Sequence, residues 1–149
     1  MSIYRQLNTN PLFKYLNEDE LKKIAEIEQS ESYKDNDPIF SLGDRNRDIM
    51  IIQKGTVAVL IINENGEEVN VASLPEREII GELNFVIPVR RSANVKAIQN
   101  VEICRLPYDK FTELLKSELV VASKIFTAIN NSLAEKLMRT INRYIEKNQ

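Results

Sequence analysis

The feature that most constrains the fold is a hairpin signal in the middle of the chain, within TVAVLIINENGEEVNVASL at positions 56–74. Two apolar runs flank the segment NENGEE, and its Asn65-Gly66 pair is the strongest short-range signal for a tight turn between antiparallel strands. The neighbouring segments are also short, rich in Val and Ile, and separated by turn residues. The middle of the chain is therefore expected to form an antiparallel β barrel or sandwich.

Further segments predict the remaining strands of this β region. DIMIIQKG is apolar enough to be buried, and we expect this strand to end near Gly55. SANVKAI and VEICRLP have a similar composition, and Gln99-Asn100 between them predicts a turn that separates two strands. DPIFSLGD contributes one more short strand, which ends before a turn at Gly43.

Helical patterns precede and follow the β region. Asn10 before Pro11 predicts the start of a helical turn, and Asn17 with Glu20 predicts a capping box. YDKFTELLK predicts a short helix and 118–147 a long one, whose apolar face would comprise Leu119, Ala122, Phe126, Ile129, Leu133, Leu137, Ile141 and Tyr144. We expect one domain over residues 1–149, with helices at about 10–30, the β region at about 31–107 and C-terminal helices at about 108–147.

The residue inventory excludes several kinds of chemistry. The chain has no histidine and one cysteine, Cys104, which argues against a zinc site, an iron–sulfur cluster and any triad that needs an imidazole base. Carboxylates are abundant, so a carboxylate-pair hydrolase stays open, although no spacing marks such a pair. The formal net charge of −2 lacks the basic excess of a general nucleic-acid binder. Without a secretion signal or a membrane-length apolar run, the chain is expected to be cytoplasmic.

The stretch GELNFVIPVRRSANVKA, at positions 81–97, combines groups that suit a phosphate joined to a sugar. Gly81 before a helical turn would let an anion approach unpaired backbone N–H groups. Glu82 suits a neutral hydroxyl, Arg91 offers a planar fork for a phosphate, and Ser92 adds a donor. Each residue also has a plainer interpretation, as a partner of the helix dipole, a solvated charge or a turn cap.

The same stretch resembles the phosphate-binding cassette of the cyclic nucleotide-binding domain family. The match runs without a gap from Gly81 to VKA at 95–97, and DPIFSLGDRNRDIMIIQKGTVAVLI and ICRLPYDKFTELL extend it over nearly all of the chain. The Arg-Ser-Ala order at 91–93 is most similar to the catabolite activator protein branch. The resemblance implies an α+β, mainly β fold: a jelly-roll β roll, or double-stranded β-helix, with N-terminal helices and a long C-terminal helix.

The resemblance also implies a function: a stand-alone sensor of cyclic AMP, with cyclic GMP as the alternative ligand, that is not an enzyme and uses no metal. Glu82 would accept the ribose 2′-hydroxyl, and Arg91 would pair with the phosphate. The family usually has a very small residue where this chain has Asn84, which would either donate a bond to the ligand or crowd it. The last helix would cap the base through Thr140 or Tyr144. The implied ligand-binding residues are Gly81, Glu82, Leu83, Asn84, Arg91, Ser92, Ala93 and Thr140.

The long helix is expected to carry the signal to a downstream protein that the sequence does not identify. We expect a homodimer through the apolar seam from Leu119 to Leu133, no membrane contact, and no direct DNA binding, since no helix-turn-helix segment follows the helix. A basic stripe on this helix is interpreted as a solvated face; it comprises Lys136, Arg139, Arg143 and Lys147. Two other functions stay open: a degenerate roll that binds no nucleotide and serves as an interaction or dimerisation module, and a phosphodiesterase.

Overall fold

In the computed structural model, which describes residues 10–148, helices at both ends of the chain enclose a β region. A 3-10 turn at Pro11–Phe13 precedes helix α1, Glu18–Ile27. The strands are β1 (Gln29–Tyr33), β2 (Pro38–Phe40), β3 (Ile49–Ile62), β4 (Glu68–Leu74), β5 (Ile79–Ile80) and β6 (Asn94–Leu106). The remaining helices are α2 (Glu82–Val86), between β5 and β6, and the C-terminal α3 (Tyr108–Ser117) and α4 (Leu119–Lys147).

Strands β3 and β6 form the spine of the β roll. They pair with each other antiparallel from Ile49↔Leu106 to Leu60↔Asn94. Strands β1 and β2 pair with β6, and β4 and β5 pair with β3, all antiparallel. This arrangement confirms the expected fold, an α+β, mainly β jelly roll with N-terminal helices and a long C-terminal helix.

Local signals at the hairpin and at the first helices are confirmed. The β3–β4 hairpin closes around Gly66, and the side chain of Asn63 accepts the backbone N–H groups of Asn65 and Glu67, both at 2.9 Å. The capping box of α1 is complete, since Asn17 and Glu20 each accept the other's backbone N–H at 2.9 Å. These contacts lie within a few residues in sequence, which is why the sequence alone predicts them.

Two predicted strand ends are wrong, because the chain bends there without leaving the sheet. Strand β3 continues through Gly55, and SANVKAI and VEICRLP form one strand, β6. The β3–β6 register shifts on both sides of Lys54, and Gly55 and Gln99 have φ angles of +92° and +58°. Turn-type residues therefore form a bulge in a continuous ladder. A Cβ at Gly55 would lie 2.5 Å from the carbonyl oxygen of Asn100, so the bend requires glycine.

The core has two parts, because alternate residues of β3 point to opposite faces of the sheet. Met50 and Ile52 face the inside of the roll. Ile49 and Ile51 face the helices instead. The helix-side core also contains Phe13, Ile24, Leu106, Phe111, Val121, Ile125 and Ile129. The first half of α4 is thus packed against the roll.

The predicted apolar face of α4 is wrong at Leu119 but not at Ile129, which is buried, nor at Ala122 and Leu133, which pack against the core. Leu119 is 75% exposed, whereas Val121, Ile125 and Ala128 are buried. These three buried residues follow the i, i+4, i+7 spacing of one helix face. That face packs against the roll, as the apolar face of a helix does in a globular core. Residues 137–148 are all exposed. Among the described residues, no helix has both the length and the apolar character to cross a membrane.

We predict that Gly55→Ala destabilises the protein by about 2–4 kcal/mol, since alanine adds a clash with Asn100 to the cost of a positive φ. Gly66→Ala is the matched control: Gly66 has a φ of +80°, but an added Cβ would have nothing within 4 Å, so this change should cost about 1–2 kcal/mol. Urea unfolding followed by circular dichroism measures both. Equal losses would contradict the close approach at Gly55.

Candidate functional site

The candidate site is the connection between β5 and β6, which begins at Gly81. Ile79 and Ile80 are buried and paired with β3, so they fix the position at which this connection starts. Gly81 has a φ of +84° and precedes α2. A Cβ at this position would lie 2.5 Å from Nη1 of Arg91 and 2.8 Å from the carbonyl oxygen of Asp48. Glycine is therefore required for Arg91 to approach the backbone.

The side chain of Arg91 is enclosed by the roll and is 1% exposed. Its Nη1 donates to Oδ1 of Asn84 at 2.8 Å. Its Nη2 donates to the carbonyl oxygen of Asp48 at 2.7 Å and to Oδ1 of Asn46 at 3.1 Å. The guanidinium carbon lies 4.4 Å from the ring centroid of Phe40, in cation–π geometry. The backbone and the side chain of this residue are both fixed, since its N–H and C=O bond to Asp44 and Gly43.

The cation of Arg91 has only neutral hydrogen-bond acceptors in these contacts: two side-chain amides and one backbone carbonyl. Burial lowers the pKa of Arg91 to about 10, although the nearby charge of Asp48 acts in the opposite direction. The group is therefore still protonated at neutral pH. A buried cation with neutral partners favours the arrival of an anion, because hydrogen bonds between ions are stronger than those to neutral acceptors.

Glu82, the first residue of α2, is buried to a similar degree, with 3% of its surface exposed. The ammonium group of Lys136, on α4, donates to Oε1 of Glu82 and to the carbonyl oxygen of Ile79, the latter at 2.6 Å. The other carboxylate oxygen, Oε2, has no partner among the described residues. Helix α4 thus contacts the site through a lysine, and one acceptor of the carboxylate stays open.

Two buried side-chain polar atoms lack a hydrogen-bond partner within the part of the chain that the structure describes. They are Oε2 of Glu82 and Nε of Arg91. Because nearly all buried polar atoms in folded proteins are paired, each such atom requires an explanation. Here both belong to the same short connection, one as an acceptor and the other as a donor.

Asn84 joins the two sides of the connection. Its Oδ1 accepts from Arg91, while its Nδ2 donates to the carbonyl oxygen of Val89 at 2.9 Å. Arg47 holds the end of α2, since its guanidinium donates to the carbonyl oxygens of Asn84 and Phe85 and to the hydroxyl of Tyr108. Helix α2 is therefore fixed from the loop before β3.

Asp48 connects this site to the rest of the roll. Its carboxylate accepts the backbone N–H of Tyr108 at 2.6 Å and a bond from Arg105 at 3.1 Å, while its carbonyl oxygen holds Arg91. Burial alone would lower the pKa of Arg105, but its bonds to Glu31 and to its other partners outweigh burial and raise that pKa above its usual value. This network positions the carbonyl that Arg91 requires.

The structure brings together Gly81, Glu82, Asn84 and Arg91, with the buried Ala93 following them. Leu83 is 49% exposed, and Ser92 is exposed. Thr140 is exposed and donates to the carbonyl oxygen of Lys136 in its own helix, and Tyr144 is 69% exposed. Within residues 10–148, neither side chain forms a hydrogen bond to the connection. Base capping by Thr140 therefore stays a prediction.

Sequence reasoning missed four residues of the site: Asn46, Arg47, Asp48 and Lys136. The interpretation of the basic stripe on α4 as a solvated face is wrong for Lys136, which is paired with Glu82. Arg139 is exposed, as a solvated face requires, and it also bonds to Glu78 at 3.0 Å. The sequence gives one weak signal for the Lys136–Glu82 and Arg139–Glu78 pairs: a basic stripe follows the apolar first half of the helix. The sequence does not specify which way that stripe faces.

Comparison with known proteins identifies related chains. The sequence profile described as "Cyclic nucleotide-binding domain" matches residues 30–118. A cAMP-dependent protein kinase regulatory subunit from Blastocladiella emersonii is 33% identical over 105 residues, which cover 70% of this chain and 26% of that protein. The cAMP-activated global transcriptional regulator CRP of Salmonella typhimurium is 31% identical over 109 residues, 72% of this chain and 50% of that protein. The chain therefore spans half or less of the length of these two relatives.

Solved structures share the fold. A cyclic nucleotide-binding domain from Methylobacillus flagellatus superimposes with a TM-score of 0.89 at 18% identity, over 97% of this chain and 84% of that one. The regulatory domain of Toxoplasma gondii PKA, solved with cAMP, superimposes with a TM-score of 0.66 at 24% identity, over 74% of this chain and 42% of that one.

We predict that Lys136→Met lowers the free energy of unfolding by about 1–3 kcal/mol, because it leaves the buried carboxylate of Glu82 without its cationic partner. Arg139→Met is the matched control on the same helix. Its ion pair is more exposed and should be worth about 0–1 kcal/mol. Urea unfolding at neutral pH gives both values, and a loss no larger than that of the control would contradict the pairing.

Proposed function

Because the chain belongs to the cyclic nucleotide-binding domain family, we propose that it is a sensor that binds cyclic AMP through Arg91 and Glu82 and signals through helix α4. One observation carries the proposal: the two unpaired buried polar atoms of the described residues are an Arg91 donor and a Glu82 acceptor. A cyclic nucleotide supplies the matching groups, a phosphate oxygen for the guanidinium and a sugar hydroxyl for the carboxylate. The same ligand thus satisfies both residues.

The chemistry of the connection supports a binding role rather than catalysis. The guanidinium of Arg91 is protonated at neutral pH and has neutral partners, so it suits a phosphodiester anion. The carboxylate of Glu82 is an acceptor, which suits a hydroxyl and disfavours a second phosphate. Gly81 lets the guanidinium approach the backbone, since a Cβ there would lie 2.5 Å from Nη1. Cyclic AMP is preferred over cyclic GMP because the relatives named above are a cAMP-dependent and a cAMP-activated protein.

Movement of α4 supplies a route for the signal. Its first half is packed in the core through Val121 and Ile125, whereas residues 137–148 are exposed. Lys136 lies at the boundary and bonds to Glu82. A ligand that changes this bond acts on the exposed half without disrupting the core. It must bind the two positions of the helix with different affinity in order to shift them.

We predict that cyclic AMP binds the purified protein and that Arg91→Ala weakens binding by tens- to thousands-fold, the effect of about 2–5 kcal/mol for losing one partner of a buried charge pair. Arg90→Ala is the matched control, since Arg90 is the adjacent residue and is exposed. Isothermal titration calorimetry with cyclic AMP, cyclic GMP and 2′-deoxy cyclic AMP measures affinity and tests the role of Glu82. Equal affinities of the two arginine variants would contradict the assignment.

The alternative function, a roll that binds no nucleotide and serves as an interaction module, has one observation in its favour. The groups expected to hold the ligand are already bonded within the protein, to Asn84 and Lys136. The same titration separates the two functions, because an interaction module would remain folded and give no heat with any of the nucleotides.

A homodimer is also proposed, but through a later part of α4 than the sequence predicts. Ala122, Ile129 and Leu133, in the predicted seam, pack against the protein's own core. The exposed apolar residues lie further along the helix, at helical spacing: Leu137, Met138, Ile141, Tyr144 and Ile145. Apolar stripes of this kind are buried in helix pairs.

We predict that the protein sediments as a dimer at micromolar concentration and that a Leu137→Glu, Ile141→Glu double variant is a monomer, because two carboxylates cannot be buried in an apolar seam. A Lys147→Glu variant keeps the apolar stripe and serves as the control for added charge. A monomeric mass for the unaltered protein would contradict the dimer.

A further inference from the structure

Each of the two groups proposed to contact the ligand is bonded to a side chain of the protein itself. Nη1 of Arg91 donates to the amide oxygen of Asn84 at 2.8 Å. Oε1 of Glu82 accepts from the ammonium group of Lys136. Asn84 is 8% exposed and Glu82 is 3% exposed, so neither contact is a loose surface pair.

Asn84 and Lys136 offer the same kinds of hydrogen-bonding group as the proposed ligand: an acceptor at Arg91 and a donor at Glu82. The amide oxygen of Asn84 is an acceptor at the guanidinium, as a phosphate oxygen would be. The ammonium group of Lys136 is a donor at the carboxylate, as a sugar hydroxyl would be. Each partner leaves one atom of its pair unsatisfied within the described chain, Nε of Arg91 and Oε2 of Glu82. The internal contacts therefore satisfy the binding groups only in part.

From these contacts we infer that Asn84 and Lys136 determine the affinity of the site by occupying, in the ligand-free protein, the positions of the phosphate and the sugar hydroxyl. The inference rests on the proposed function and adds two residues that compete with the ligand. A phosphate displaces Asn84 from Arg91, and a sugar hydroxyl displaces Lys136 from Glu82. The measured affinity is then reduced by the fraction of molecules in the self-occupied state.

The two competitors have different consequences, because they lie on different elements. Asn84 belongs to α2, beside Arg91, and its second bond is to Val89 in the same loop. Its displacement is a local change. Lys136 belongs to α4, so its displacement breaks the bonds from this helix to Ile79 and Glu82, while Arg139 bonds separately to Glu78. The first residue adjusts affinity alone, and the second links affinity to the helix.

The test is the affinity for cyclic AMP, measured by calorimetry, of the full chain and four variants. Asn84→Ala removes the competing acceptor and is expected to bind about three- to tenfold more tightly. Asn84→Asp is isosteric but places a carboxylate on Arg91, so it is expected to bind at least about tenfold more weakly. Lys136→Met is expected to bind more tightly. Lys124→Met is its control, because Lys124 forms a comparable pair with Glu20 at 2.6 Å, on the same helix.

The outcomes separate this inference from the proposed function. The inference is overturned if the unaltered protein binds cyclic AMP and the folded Asn84→Ala variant binds it no more tightly. The proposed function would still stand. Binding by Asn84→Ala but not by the unaltered protein would support the inference strongly. Absence of binding in every variant would overturn both. If Asn84→Ala does not fold, Asn84→Ser applies the same test, because serine also lacks an acceptor that reaches as far.

A second measurement follows Lys136 directly. Brief acetylation of the full chain by a lysine-selective reagent, read by peptide mass spectrometry, reports how free each ammonium group is. Cyclic AMP is expected to raise the labelling of Lys136 severalfold and to leave Lys124 unchanged, since Lys124 pairs with Glu20 and lies about 18 Å before Lys136 along the helix. Unchanged or lower labelling of Lys136 at saturating cyclic AMP would show that the lysine stays on Glu82 and would overturn its displacement.

Discussion

The structure depends on a buried cation, the guanidinium of Arg91. Removing such a group from water is costly, and the fold offsets the cost with neutral oxygen atoms and an aromatic face. These partners come from three segments, namely β2, the loop before β3 and α2, and Gly81 supplies the space that a side chain would fill. Strands β2 and β3 and helix α2 therefore enclose this charge. Its Nε remains without a partner among the described residues, which leaves one donor for the proposed anion.

What the sequence could predict depends on how far apart the interacting residues lie. The Asn17–Glu20 box and the Asn65-Gly66 hairpin involve neighbours, and the pattern from Gly81 to Arg91 lies within one connection. The pair of Lys136 and Glu82 spans 54 positions, and no periodicity connects them. The predictions at Gly55 and Gln99 failed for another reason. Residues with positive φ angles often end a strand, but in this fold they form a bulge within a continuous ladder.

Helix α4 shows the same division between local pattern and tertiary packing. Its existence and length follow from periodicity, but periodicity does not tell which stripe meets the roll. The core determines this, since it accepts Val121 and Ile125 and leaves Leu119 exposed. With that rotation, Lys136 faces the connection after β5 and the later apolar residues stay exposed. The geometry of one helix thus determines both what contacts the site and what remains available to a second chain.

The exposure of residues 137–148 has a consequence for how such a chain changes over evolutionary time. Substitutions there do not alter core volume or the bonds of Arg91, so selection for a new binding partner acts on positions that are separate from those proposed to recognise the nucleotide. Lys136 marks the boundary between the two sets. A lineage could therefore replace the output surface many times while its chemical input stays the same.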